Sequence, residues 1–294
     1  MATVQEPASS SLAGLAQVVR DSIPVPLQNQ SILRQSLLFA ELSHLAYFSP
    51  EEVQQAVEQS GIEGYEFLNQ ESAQAYVFTT SHDCIVVFRG TEPDDINDIK
   101  ADVDAVMVVA ETLGRVHRGF KRESDRLWEP LERLLTNNHK PLWFTGHSLG
   151  GAIATLNAGR CVLSPIPASP SGLYTFGSPR VGNRRFINYV KLNHYRWVNN
   201  NDIVPRLPPR WLGYRHAGKE LYLNAYGQVR TYTTWRRIRD QWLGFLLTLR
   251  AWKVDHVTDH LITSYIVHLQ KAVDEETQAL RLLMNFANSQ TAKP

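Results

Sequence analysis

Apolar residues recur at spacings of three and four from Ile32 to Tyr47. Leu33, Leu37, Leu38, Leu42, Leu45 and Ala46 share one stripe, which predicts an amphipathic helix. Ser49-Pro50-Glu51-Glu52 reads as the start of a second helix, with Ser49 as its cap and Pro50 in its first turn. Residues 62–69, 73–80 and 84–89 read as three successive strands separated by short polar turns. The last of these, CIVVFR, is a continuous apolar run of the kind buried on both faces. Downstream, HRGFKRESDRLWEPLERLL reads as a helix, LWFTG as a buried strand, SLGGAIATLNAGRCVL as a helix, GLYTFG as a strand, NRRFINYVKL as a helix and HYRWVNN as a strand. That alternation predicts a mostly parallel central sheet with helices on both faces. Residues 1–30, rich in Ser, Ala, Pro and Gln with no sustained period, read as a flexible leader, and residues 31–294 as a single α/β domain.

Composition narrows the classes. With 294 residues of which 43% are apolar, the chain can bury a substantial core. Thirty basic against 29 acidic side chains leave a net charge of +1, so no global field recommends nucleic acid as a partner. Cys84 and Cys161 fall in a buried strand and at the end of a buried helix, where reduced thiols behave as small apolar groups. No basic region followed by an apolar run marks a secretory leader, and no stretch of 18 uninterrupted apolar residues marks a membrane span. The expectation is a protein of a reducing compartment, cytoplasmic or peripheral to a membrane, with leaderless secretion as the open alternative.

The chemistry concentrates around Gly146-His147-Ser148-Leu149-Gly150. The apolar strand before it and the Ala/Leu-rich helix after it supply the strand, turn and helix that a nucleophile elbow requires. Glycines on either side let the chain turn tightly at a strained serine. The helix start then aims the backbone N–H of Leu149 where a developing oxyanion would sit.

Around this elbow the chain resembles the fungal-type class 3 lipases, as a bacterial-type member. The resemblance runs from about residue 76 to about residue 270 through VFRGT (87–91), VHRGF (116–120), the elbow, YTFGSPRVGN (174–183), VNNNDIVPRLP (198–208) and GYRHAGKELYL (213–223). It implies the α/β-hydrolase fold, a Ser-His-Asp acyl-enzyme mechanism without metal or cofactor, and lipid ester substrates; the alternatives are a soluble esterase for short or aromatic acyl esters and a catalytically silent scaffold that binds lipid or a partner. Triacylglycerol, phospholipid, galactolipid and feruloyl esters all fall within the family's range.

A serine hydroxyl needs a histidine to take its proton and a carboxylate to orient that histidine. In this fold they follow the serine in the order acid, then base. Asp202 follows the strand Tyr195–Asn199 at the sheet's carboxyl edge, and the family motif points to the same residue; Glu220 lies inside a strand and is less convenient. Two Asp-His pairs, Asp255-His256 and Asp259-His260, compete for the base. The resemblance of DHLITSY (259–265) favours His260, with His256 the runner-up. His147 points away from Ser148 by strand alternation and reads as a packing residue, and His216 and His268 read as structural. No ligand set with zinc-like spacing is present. Thr91, after Arg89-Gly90 at the third strand's end, is the expected second oxyanion donor beside Leu149, and the resemblance assigns its hydroxyl a share.

Two segments depart from the family. Residues 92–115 occupy the place of its lid, but Asp98-Ile99-Lys100-Ala101-Asp102-Val103 stands where relatives carry a tryptophan, and interfacial activation does not follow. Residues 234–253 form an extra basic amphipathic helix in which Trp235, Ile238, Trp242, Phe245, Leu249 and Trp252 share one stripe. Five basic side chains against Asp240 leave it a local charge of +4. Such a helix suits packing on the enzyme body, contact with a second copy, or an anionic membrane surface.

Overall fold

The computed structural model describes residues 12–91, 106–224, 226–230 and 258–291. The helices, in chain order, are α1 (Leu12–Ser22), α2 (Ile32–Leu45), α3 (Pro50–Ser60), α4 (Arg118–Leu135), α5 (Leu149–Cys161), α6 (Arg184–Tyr189) and α7 (Ile262–Thr291). The strands are β1 (Gly64–Gln70), β2 (Ala73–Thr79), β3 (Cys84–Phe88), β4 (Met107–Val109), β5 (Arg115–His117), β6 (Leu142–His147), β7 (Pro170–Phe176), β8 (Gly182–Asn183), β9 (His194–Asn199), β10 (Tyr214–Arg215), β11 (Lys219–Leu223) and β12 (Val229–Arg230).

Eight of these strands form one sheet in the order β1-β2-β3-β6-β7-β9-β11-β12. Its centre, from β3 through β6, β7 and β9 to β11, is parallel. The flanking pairs β1/β2, β2/β3 and β11/β12 are antiparallel. The expected mostly parallel sheet is therefore present, with helices on both faces.

Alternation along β3 shows why its sequence is apolar throughout. Ile85 and Val87 join the core beneath α1, α2, α3 and α7, whereas Cys84, Val86 and Phe88 join the core beneath α4 and α5. A strand buried on both faces has no solvent side on which to place polar residues. Cys84 and Cys161 are both free and buried in the second of these cores. The predicted start of α3 carries a full capping box: the Glu52 amide donates to Ser49 Oγ, and the Ser49 amide donates to Glu52 Oε2 at 3.0 Å.

Three expectations need correction or completion. The reading of residues 1–30 as a flexible leader is wrong from Leu12 onward, because Leu15, Ala16 and Val19 form the buried face of α1 and Leu27 is buried after it. Their three- and four-residue spacing lasts only three turns and lies among Ser, Pro and Gln, so composition outweighed it; residues 1–11 lie outside the described residues. Within the span assigned to the lid, Met107–Val109 is instead strand β4, paired antiparallel with β5 in a second, four-stranded sheet ordered β10-β8-β5-β4. Residues 92–105, the extra helix at 234–253 and the runner-up His256 lie outside the described residues. Among those described, no helix is long and apolar enough to cross a membrane.

Candidate active site

β6 ends at His147 and α5 begins at Leu149, so Ser148 alone makes the turn, with φ 55° and ψ −126°. A positive φ on a residue with a side chain is strained and persists only where its surroundings enforce it. Those surroundings are tight: a Cβ at Gly146 would lie 2.4 Å from the Gly150 carbonyl carbon, and one at Gly150 would lie 2.2 Å from Phe88 O. Only glycine lets β3, β6 and α5 meet this closely. The Ser148 side chain does not cap the helix it precedes. Its hydroxyl faces a histidine instead.

That histidine is His260, whose Nε2 lies 2.9 Å from Ser148 Oγ, although 112 residues separate them. His260 Nδ1 lies 2.9 and 3.0 Å from the two oxygens of Asp202. Ser148 and Asp202 are 0% exposed and His260 1%, so the line of three is closed to solvent. The sequence-predicted Ser148, Asp202 and His260 thus converge, the order in the chain being serine, acid, histidine.

Asp202 is held from several sides. Asp202 Oδ1 accepts from the Val204 amide at 2.9 Å, and Asp202 Oδ2 accepts from the Tyr265 hydroxyl at 2.6 Å. Tyr265 is fully buried on α7, about one turn beyond His260. Burial first, and then the Asp202 carboxylate, hold its phenol well above the ordinary value, so it acts as a donor. Asp259 joins the loop of Asp202 to the segment of His260: its Oδ2 accepts from Asn200 Nδ2 at 3.2 Å and the Asn201 amide at 3.1 Å, and its carbonyl accepts from Asn199 Nδ2 at 3.0 Å. Asp259 therefore serves the acid loop rather than its neighbouring histidine. Glu220 is paired with Arg196 at 2.7 Å and is no rival acid.

On the opposite side of the serine, Leu149 is the first residue of α5, where an amide has no partner inside the helix. Thr91 lies three residues beyond Phe88, whose register partner is Gly146, so it leaves the sheet beside the elbow and is half-buried there. His147 is buried and does not reach the Ser148 hydroxyl. It bonds to the His260 backbone and to Tyr47, a closer connection to His260 than packing alone. Sequence reasoning missed Tyr47, Gly177 and the Asn199–Asn201 clasp. Only the asparagine run beside Asp202 offered a local signal, as residues suited to turn bonding. Two further histidines keep structural contacts, His194 to Thr175 and His216 to Pro205 O, and burial pushes His194 down to about 3 and His216 well below its ordinary value.

A strained serine between strand and helix, followed in chain order by a carboxylate and a histidine at the carboxyl edge of a mostly parallel sheet, defines the α/β-hydrolase class. The class 3 lipase family profile matches residues 85–211, which hold the elbow and Asp202. A triacylglycerol lipase of Arabidopsis thaliana is 26% identical over 72% of this chain and 58% of its own length. The lipase of Rhizomucor miehei is 36% identical over 47% of this chain and 41% of its own. Among solved structures, a triacylglycerol lipase whose catalytic centre is described as a serine protease triad superposes with a TM-score of 0.51 at 30% identity, covering 63% of this chain and 77% of that one. The chain belongs to the class 3 lipase family. It spans less than two thirds of the two sequence relatives named.

Proposed function

We propose that the protein hydrolyses carboxylic esters of lipid type through an acyl-enzyme. The observation that carries this reading is the unbroken line from Ser148 Oγ through His260 to Asp202, with links of 2.9 to 3.0 Å. His260 takes the serine proton as Oγ attacks the ester carbonyl, and Asp202 keeps Nδ1 protonated and steadies the imidazolium that forms. The Leu149 amide and Thr91 stabilise the oxyanion, and His260 then protonates the leaving alcohol. Water repeats the sequence on the acyl-serine and releases the fatty acid. The Arabidopsis relative and the solved structure described above are named as triacylglycerol lipases and the Rhizomucor relative as a lipase, which supports a lipid acyl chain.

The test is stoichiometric labelling by a fluorophosphonate together with hydrolysis of p-nitrophenyl esters of increasing chain length. Labelling abolished in Ser148→Ala and slowed by about 10⁴-fold in Asp202→Asn is the expected result. A wild-type protein that is not labelled would overturn the enzyme reading. A sharp maximum at acetate or butyrate with no action on emulsions would overturn the lipid assignment.

Docking to an anionic membrane surface through the +4 segment 234–253 is a second element of the proposal, resting on that sequence pattern. Equal binding to neutral and anionic vesicles, unchanged by Arg236→Glu/Arg239→Glu, would remove it.

A further inference from the structure

Ser148 and His147 both reach the same residue. Ser148 Oγ meets the His260 ring, while His147 Nε2 lies 2.6 Å from the His260 backbone oxygen. The base is thus held at its side chain and at its main chain by two consecutive residues of the elbow. His260 needs that second hold, because it ends a short 3-10 turn (Thr258–His260) before α7 begins at Ile262, where no sheet ladder fixes the backbone.

A carbonyl only accepts, so His147 must carry its proton on Nε2, and its Nδ1 must then accept. The Nδ1 partner is the Tyr47 hydroxyl, at 2.8 Å. Tyr47 follows the end of α2, and its ring stands edge-on to His147 with centroids 5.9 Å apart. Its oxygen is pressed against the chain at Gly90, where a Cβ would lie 2.2 Å from it and 2.6 Å from His147 O. Gly90 immediately precedes Thr91. One phenol oxygen therefore contacts both the strand end that leads to Thr91 and the histidine that grips the base.

We propose that Tyr47 and His147 form a positioning relay for the reaction, in which the Tyr47 hydroxyl selects the Nε2-protonated tautomer of His147 and that tautomer anchors the backbone of His260. Neither residue touches the reacting atoms; both act through the base. Burial, then the neighbouring His260, hold His147 well below its ordinary value, so the ring stays neutral and its single proton remains on Nε2. The two rings lie 4.6 Å apart, and a neutral neighbour leaves His260 free to become the imidazolium. The relay rests on the proposed triad for its catalytic meaning, while its tautomer is a property of the fold and can be read separately.

Tyr47→Phe removes one oxygen and keeps the ring. On a soluble p-nitrophenyl ester the expected result is a fall in kcat of about tenfold with KM within about twofold, the pattern of a lost positioning contact. Nitrogen-15 NMR of ring-labelled protein should show His147 protonated at Nε2 alone in the wild type and a mixture of tautomers in Tyr47→Phe. His147→Gln, whose amide can still donate, should retain more kcat than His147→Leu at matched thermal stability. Unchanged kcat and unchanged ring nitrogens in Tyr47→Phe would overturn the relay, as would equal activity of the Gln and Leu variants. A wild-type protein without esterase activity would overturn the triad reading instead, and the NMR pattern would still decide the tautomer.

Discussion

The Tyr265 hydroxyl bridges two parts of the acid loop: it donates to Asp202 Oδ2 at 2.6 Å and accepts from the Asn199 amide at 3.0 Å. Tyr265 rides on the first turns of α7, directly after His260, so one short stretch of chain delivers both His260 and a clamp for Asp202. Loss of this oxygen leaves a buried amide without an acceptor and the carboxylate less firmly held. Tyr265→Phe should cost about 1–3 kcal/mol of stability and lower kcat by about tenfold, as measured by thermal unfolding and by hydrolysis of a soluble ester. Unchanged stability and rate would show that the bridge is idle.

Gly177 packs against both Asp202 and His260 at φ 60°, and a Cβ there would stand 2.8 Å from Asp202 Oδ2 and 2.9 Å from the His260 ring. Gly177→Ala should therefore separate that pair, since a displacement of even about 1 Å in a catalytic constellation costs on the order of a hundredfold in rate. The loss should appear in kcat and in the rate of fluorophosphonate labelling. Near-native labelling of a folded Gly177→Ala protein would refute this account of the packing.

Glu41 is buried on α2 with 0% of its surface exposed and neither carboxyl oxygen hydrogen-bonded. Burial raises it from 4.5 to about 8, so the folded protein holds a proton there that the unfolded chain releases above about 4.5. Between those two values the unfolded state binds fewer protons, so this group lowers stability as pH rises from about 4.5 to about 8, by a few kcal/mol in all. Glu41→Gln should remove that dependence, gaining more in melting temperature over the wild type at pH 8 than at pH 5. An equal change at both pH values would contradict the assignment.

α1 belongs to the folded body, and Leu15, with 1% of its surface exposed, is part of the core beneath α2 and α3. Leu15→Ala should cost about 2–5 kcal/mol, the usual range for a buried leucine. Chemical denaturation measures it directly; a midpoint equal to that of the wild type would return this segment to the status of a leader.

Much of the fold was legible because its signals are local. Continuous apolar strands arise where both faces are covered, as the opposite fates of Ile85 and Val86 show. The capping box at Ser49 and Glu52 is likewise complete within four residues. The elbow was readable for a similar reason: the crowding at Ser148 is relieved within its own turn by Gly146 and by Gly150. α1 was missed because three turns of weak periodicity cannot outweigh composition. The second sheet was missed because β8 and β10 have two residues each, too few to show any alternation.

The sequence by itself thus determined the parallel sheet, the tight elbow at Ser148 and the chain order serine, acid, histidine. Only the tertiary structure decided how those partners are held: His260 meets Ser148 across 112 residues and Asp202 across 58, and Tyr47 meets His147 across 100. An imidazole reads the same in sequence whether it is buried among leucines or against a carboxylate. Which bonds it makes depends on strand register and helix packing, and these are set by the burial of the whole apolar pattern rather than by any residue beside it.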